Sequence, residues 1–157
     1  PEQILLIDET GRVLRGPGRP SSDTPLHLAV LRAHGAGAVL HTHSVWSTIL
    51  SETHERAGGL AIEGYEMLKG LEGVSTHRHR EWIPIVENDQ DMPRLAERVR
   101  GVLAEEPAAK AFLLSGHGLY TWGQTIAEAE RHVEILEFLF EVIGHGHHSH
   151  PRARSDD

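Results

Sequence analysis

The sequence predicts an α/β protein of three layers, α/β/α, with a central, largely antiparallel sheet between two sets of helices. Three observations carry this prediction. Short apolar runs bounded by glycine or proline recur along the chain and read as strands. Some of them are joined by tight glycine turns, which set neighbouring strands antiparallel. Between them lie longer segments with apolar residues at helical spacing, and strands mixed with helices in this way pack in layers.

Each element has its own signal. "ILLID" and "ETGRVL" read as a strand, a turn at Gly11 and a return strand. "RGPGRPSS" is a loop. "SDTPLHLAVLRAHG" is a helix capped by Asp23 or Thr24, with Pro25 in its first turn, a stripe of Leu26, Val30 and Leu31, and Gly35 at its end. A strand follows over Ala38–His43, then a helix over Val45–His54. Gly58-Gly59 breaks the chain, and "IEGYEMLKGLEG" offers one or two helical turns between glycines. "EWIPIV" is a strand, moved toward an edge by Pro84, which has no N–H to give a ladder. "DMPRLAERVRGVLAEE" is amphipathic through Leu95, Val99, Val102 and Leu103. "AFLLSGHGLYTWG" reads strand, glycine turn, strand, and "TIAEAERHVEILEFLFEVIG" is the clearest helix, ending at Gly144.

Composition narrows the function. A chain of 157 residues is one domain with room for a real core. Its net charge of -8, without a basic stripe, argues against nucleic-acid binding. No apolar run approaches the ~18 residues of a membrane span. No signal peptide is visible, which favours the cytoplasm. The absence of cysteine rules out disulfides and thiolate metal sites, so a zinc ion would need histidine and carboxylate ligands. The chain starts at Pro1 in an apolar run and is read as lacking an N-terminal segment. Residues 1–143 are expected to form the zinc-binding domain, and residues 144–157, with four of the 13 histidines, a flexible His-rich tail.

"GAGAVLHTHSVW" ends a small apolar strand on His-Thr-His. Strand side chains alternate, so His41 and His43 share a face and suit one metal ion. A catalytic zinc takes three protein ligands and keeps a fourth position open. The best third ligand is His117 in "LLSGHGLY", after a second apolar strand and between two glycines. His77 and His79 repeat the spacing in "THRHRE", but the flanking arginines oppose a cation, and this stretch reads as a polar loop. His27, His34, His54 and His132 fall in helical patterns and read as surface or satisfied core residues. Glu66, in "EGYEMLKG", is a candidate base, although its pattern alone fits a solvated helix face. Ser21, Ser22 and Asp23 open a helix; they either cap it or hold an anion there.

Together these residues resemble the class II aldolase/adducin family. The carrying stretches are "PSSDTPLH", "GAGAVLHTHSVWSTILSE", "EGYEMLKGLEG", "THRHREWIPIVENDQD", "SGHGLYTWGQT" and "AEAERHVEILEFLFE", which reach about Val142. "HTHS" with "GHGLYTWG" marks the superfamily, while "EMLKG" with "EWIPIVENDQD" points to its dehydratase branch. The resemblance implies a class II aldolase-like fold, zinc on His41, His43 and His117, and Glu66 as catalytic acid/base. It also implies a sugar-phosphate substrate and a homotetramer with active sites between subunits. The activity implied is dehydration of 5-methylthioribulose 1-phosphate to 2,3-diketo-5-methylthiopentyl 1-phosphate in methionine salvage. Sugar-phosphate aldolases or 4-epimerases of the same family are the alternative, weakened by Asp23 where the aldolases carry a glutamate. An adducin-like scaffold would not need the histidines. The family's N-terminal Gly-Asn-x-Ser loop, which helps hold the phosphate, is absent from this sequence.

Overall fold

A computed structural model describes residues 4–149, with side chains through residue 146. Two short strands, β1 (Leu6–Ile7) and β2 (Val13–Arg15), pair antiparallel around the Gly11 turn. This hairpin is too short and too exposed to stand alone, with Leu6 and Leu14 both more than half exposed. The rest is built on a five-stranded sheet. Its strands are β3 (Ala38–Thr42), β4 (Gly59–Glu63), β5 (Arg80–Val86), β6 (Ala111–Leu114) and β7 (Gly118–Gly123), in the order β3-β7-β6-β5-β4. Three of the four pairings are antiparallel and β5–β6 is parallel, so the expected largely antiparallel α/β sheet is present.

The helices are α1 (Thr24–His34), α2 (Val45–His54), α3 (Met92–Glu105) and α4 (Ile126–Ser149). Alternation along the strands sends two sets of side chains to two cores. Ala111, Leu113, Leu119, Ile83 and Ile85 face Leu50 of α2 and Ile135, Leu136, Leu139 and Phe140 of α4. Phe112, Leu114, Tyr120 and Trp122 face Leu26 and Val30 of α1 and Leu95 and Val99 of α3. A 3-10 turn over Glu66–Gly70 closes the first core through the fully buried Leu68.

Three local readings change. Residues 59–63 form an edge strand, not a break, because Leu60 and Ile62 both bury beneath α2 and α4. Pro84 therefore lies in an interior strand. It forms the terminal rung of the ladder to β4, opposite Gly59, and the parallel ladder to β6 begins one residue on, at Ile85. The missing N–H thus falls where β5 changes partners. The third change is at Gly144, which does not end α4; the helix continues to Ser149, with residues 150–157 outside the described residues. Gly144 is there for closeness. A Cβ on it would stand 2.1 Å from the Trp46 ring, so the helix passes the indole only because that position has no side chain.

This makes a signed prediction. In an open helix, Gly→Ala stabilises by about 1 kcal/mol. Here Gly144→Ala should destabilise by about 1–3 kcal/mol through overpacking against Trp46. Thermal denaturation reads the sign directly, and a raised midpoint would show that the α4–Trp46 approach is looser than described.

Candidate metal centre

The end of β3 and the β6–β7 turn place three imidazoles together. His41 occupies the β3 rung opposite Tyr120, His43 follows the strand end, and His117 lies in the turn between Leu114 and Gly118. Their Nε2 atoms form a triangle: 2.7 Å from His43 to His41, 3.0 Å from His117 to His43 and 3.3 Å from His41 to His117. Among the described residues this is the one group of three or more His, Asp or Glu side chains with the spacing to hold a metal ion.

The surroundings test whether a metal fits. His41 Nδ1 donates to the Leu119 carbonyl at 2.8 Å, which leaves its Nε2 lone pair aimed at the other two rings. Its ring stacks on Tyr120 at 3.9 Å and 15°, and Tyr120 stacks in turn on Phe112 at 4.7 Å and 3°. Burial pushes the His41 imidazole down to about 4 and lowers His117 as well, so both are neutral bases near pH 7. Nitrogens sharing a tetrahedral zinc at about 2.0–2.1 Å stand about 3.3 Å apart, the scale of this triangle. The donor set fits a borderline divalent ion such as zinc.

The turn is held from outside. Gly116 takes a φ of 63°, and its N–H donates to the Ser51 hydroxyl at 3.0 Å. A Cβ on Gly118 would stand 2.2 Å from the Thr42 carbonyl and 3.1 Å from the His43 ring, so glycine is required where β7 passes the ligand. Ser44 caps α2 through a reciprocal bond with Ser47, while Thr48 donates to the Ser44 carbonyl and reaches toward the His117 carbonyl at 3.5 Å. The sequence reading missed Thr48 and Ser51. Their signal was present: Ser44, Ser47, Thr48 and Ser51 are a hydroxyl stripe at helical spacing, and Ser47 and Ser51 are fully buried.

The other candidates divide. Ser22 and Asp23 line a cavity of about 230 Å³ with His117, Asn88, Asp89 and Gln90. Asp23 does not cap α1 with its side chain; its N–H instead bonds the Ser21 hydroxyl, and its carboxylate faces the field of His41 and His117. Ser21 and Ser22 also line a larger hollow of about 580 Å³ with Arg32 and Arg100. His77 and His79 bond Glu66 and Glu81 and are not part of the triad. His132 is a satisfied core residue, donating from Nδ1 to the Trp122 carbonyl and accepting the Glu72 N–H at Nε2. His27 lies edge-on to Tyr120 and His41, and His34 stacks on Trp122.

Glu66 is elsewhere. Val86, at the end of β5, lies level with Leu114 beside the triad's turn, whereas Glu63 of β4 pairs with Arg80 at the other end of β5. Glu66 follows that remote end, is largely exposed, and pairs with Lys69 at 2.5 Å and His77 at 3.1 Å.

A His triad able to hold a metal ion thus stands at the strand ends of an α/β/α sheet, the architecture of class II aldolase-fold proteins. The Class II Aldolase and Adducin N-terminal domain family matches residues 1–143, and the chain belongs to that family. It is similar to the methylthioribulose-1-phosphate dehydratase of Methylococcus capsulatus, 46% identical over 143 residues, covering 90% of this chain and 69% of that protein. The protein of the same name from Pectobacterium atrosepticum is 48% identical over 141 residues, 89% of this chain and 68% of that one. In fold it is similar to an L-fuculose 1-phosphate aldolase, with a TM-score of 0.72 at 17% identity over 98% of this chain and 66% of that one. The Thermus thermophilus L-fuculose-1-phosphate aldolase gives 0.66 at 20% identity, over 95% of this chain and 72% of that one. Among the described residues, no helix is long and apolar enough to cross a membrane.

Two outcomes are expected. His43→Ala should abolish stoichiometric zinc binding, measured on dialysed protein, while far-ultraviolet circular dichroism stays that of the parent. The second concerns pH. Burial lowers His27, His34, His41, His117 and His132 from 6.5, so below that value the unfolded chain binds protons that the folded chain refuses. Stability rises with pH in that window, and the metal-free protein should lose melting temperature steadily from pH 7 to pH 5. A flat profile would contradict the burial of these rings.

Proposed function

We propose that the chain is a zinc-dependent hydro-lyase that converts 5-methylthioribulose 1-phosphate to 2,3-diketo-5-methylthiopentyl 1-phosphate and water, a cytoplasmic step of methionine salvage. The observation that carries this is the preorganised triad of His41, His43 and His117 in a chain nearly half identical to proteins of that name over about nine-tenths of its length.

His41, His43 and His117 would hold the zinc. When bound, the ion supplies a Lewis acid that draws charge from the substrate's carbonyl side as the C3 proton leaves. Glu66 takes that proton and delivers one to the departing C4 hydroxyl. Ser22 and Asp23, in the cavity shared with His117, and Ser21, in the adjoining hollow, orient the substrate or its phosphate. Glu66 lies beyond the sheet end remote from the triad, so in this reading it serves the triad of a second copy. This supports an assembly with sites between subunits, which the family resemblance makes a homotetramer. The fuculose-phosphate aldolases share the fold at 17% and 20% identity, which speaks to architecture and not to reaction.

The test is chemical and genetic. Incubation with 5-methylthioribulose 1-phosphate should yield the diketone by mass, while fuculose and ribulose phosphates should remain uncleaved. Glu66→Gln should keep zinc and fold but lose about 10²–10⁴-fold in kcat, the usual worth of a general acid–base group. Mixing Glu66→Gln with His43→Ala subunits should then restore roughly a quarter of parental activity, because random pairing across the interface rebuilds that share of intact sites. No recovery from fully exchanged subunits would place base and metal in one chain. Cleavage of fuculose phosphate would favour the aldolase alternative.

A further inference from the structure

The segment Thr76–Glu81, which leads into β5, carries several polar bonds, and none of those described reaches the triad. Glu81 is a buried carboxylate, 3% exposed, that the reaction above does not use. One of its oxygens accepts the His79 Nε2–H at 2.6 Å, and the other accepts the Lys110 N–H at 3.3 Å. The loop closes on itself through His79 N–H to the Thr76 carbonyl and Arg78 N–H to the Thr76 hydroxyl. The His77 carbonyl then accepts the Gly64 N–H at 3.1 Å, two residues before Glu66. Main chain and side chain therefore converge on one place: His77 Nδ1 lies 3.1 Å from Glu66 Oε1, while Lys69 Nζ holds Oε2 at 2.5 Å.

We propose that His77 is a positioning residue of Glu66, held in place by the His79–Glu81 pair, so that Glu66 presents one orientation to the reacting substrate. This rests on the assignment of Glu66 as the acid/base. A lone glutamate on an exposed 3-10 turn samples several rotamers, and only a fraction reach a substrate proton. Two donors, one on each oxygen, reduce that freedom. A buried carboxylate is a costly anchor for a solvent loop unless the geometry of the loop matters. The same two donors stabilise the ionised form, so Glu66 lies below the usual carboxylate range, with the Lys69 hydrogen bond the larger cause and His77 adding to it. The nearby Glu63 is itself engaged by Arg80 at 4.0 Å.

The experiment uses the full-length, zinc-loaded protein with His77→Ala, His77→Asn and Lys69→Met. Asparagine places an amide N–H close to where Nδ1 stands. Two readouts are taken: kcat and KM across pH, and the titration midpoint of the Glu66 carboxyl by carbon-13 NMR. His77→Ala should lower kcat roughly tenfold, the scale of one hydrogen bond to a charged group, with KM and zinc content near those of the parent. The Glu66 midpoint and the acid limb of kcat should both move to higher pH, because a partner that stabilised the carboxylate is gone. His77→Asn should restore most of kcat, and Lys69→Met should raise the midpoint further than His77→Ala. An unmoved midpoint in His77→Ala overturns the proposal, as does parental kcat in His77→Ala when Glu66→Gln is inactive. Full activity of Glu66→Gln would instead overturn the acid/base assignment, and the midpoint would then decide alone whether His77 holds Glu66.

Discussion

The hydrogen bond from His41 Nδ1 to the Leu119 carbonyl is the constraint on which the site depends. It joins a metal-facing ring to the backbone of the neighbouring strand, and so makes the triad a consequence of the β3–β7 register. In that register His41 opposes Tyr120 and Thr42 opposes Leu119. A slip of one residue would turn His41 to the other face of the sheet and Thr42 into its place. The stacked column of His41, Tyr120 and Phe112 crosses three strands and locks the same register from the side-chain side. The core beneath α1 and α3 and the metal site are thus built from one set of contacts.

The second support comes from α2. Its hydroxyl stripe carries no charge and buries well, yet its serines and threonine bond the β6–β7 turn and the helix's own first carbonyl. A buried hydroxyl that finds its partner costs little, and one without a partner costs about 1–3 kcal/mol, so the stripe is a directional contact in an otherwise apolar interface. It fixes where His117 stands relative to the end of β3. Thr42, between the two histidines on the opposite face, donates to Glu137 and ties the same strand to α4. The alternation that aims both imidazoles one way also sends the intervening residue to the layer behind.

A single chain leaves the proposed catalytic groups apart. The triad and Asp23 gather at one end of the sheet, and the Glu66–His77–Lys69 group gathers beyond the other. Mixed strand directions allow this, because β4 leaves the Pro84 level near the turn and runs back down the sheet before the chain reaches Glu66. In the proposed reading one copy's Glu66 would meet another's triad, and a surface carrying both halves can complete both sites at one type of contact.

What the sequence determined by itself was local. Among the described residues, periodicity placed all four helices, the strand pattern placed six of the seven strands, and the spacing of His41 and His43 with a glycine-flanked His117 marked the three rings that converge. These signals are legible because strand alternation and helical repeat are properties of neighbouring residues. The tertiary structure decided the rest. Gly144 reads as a stop until Trp46 is seen filling the place of its side chain. Gly58-Gly59 reads as a break until Leu60 and Ile62 are seen beneath α2 and α4. Pro84 reads as an edge signal until the change of partners at Ile85 is known. The Leu119 carbonyl, the Ser51 hydroxyl and the remoteness of Glu66 leave no mark at the positions they affect, because each joins residues brought together only when the sheet closes its register.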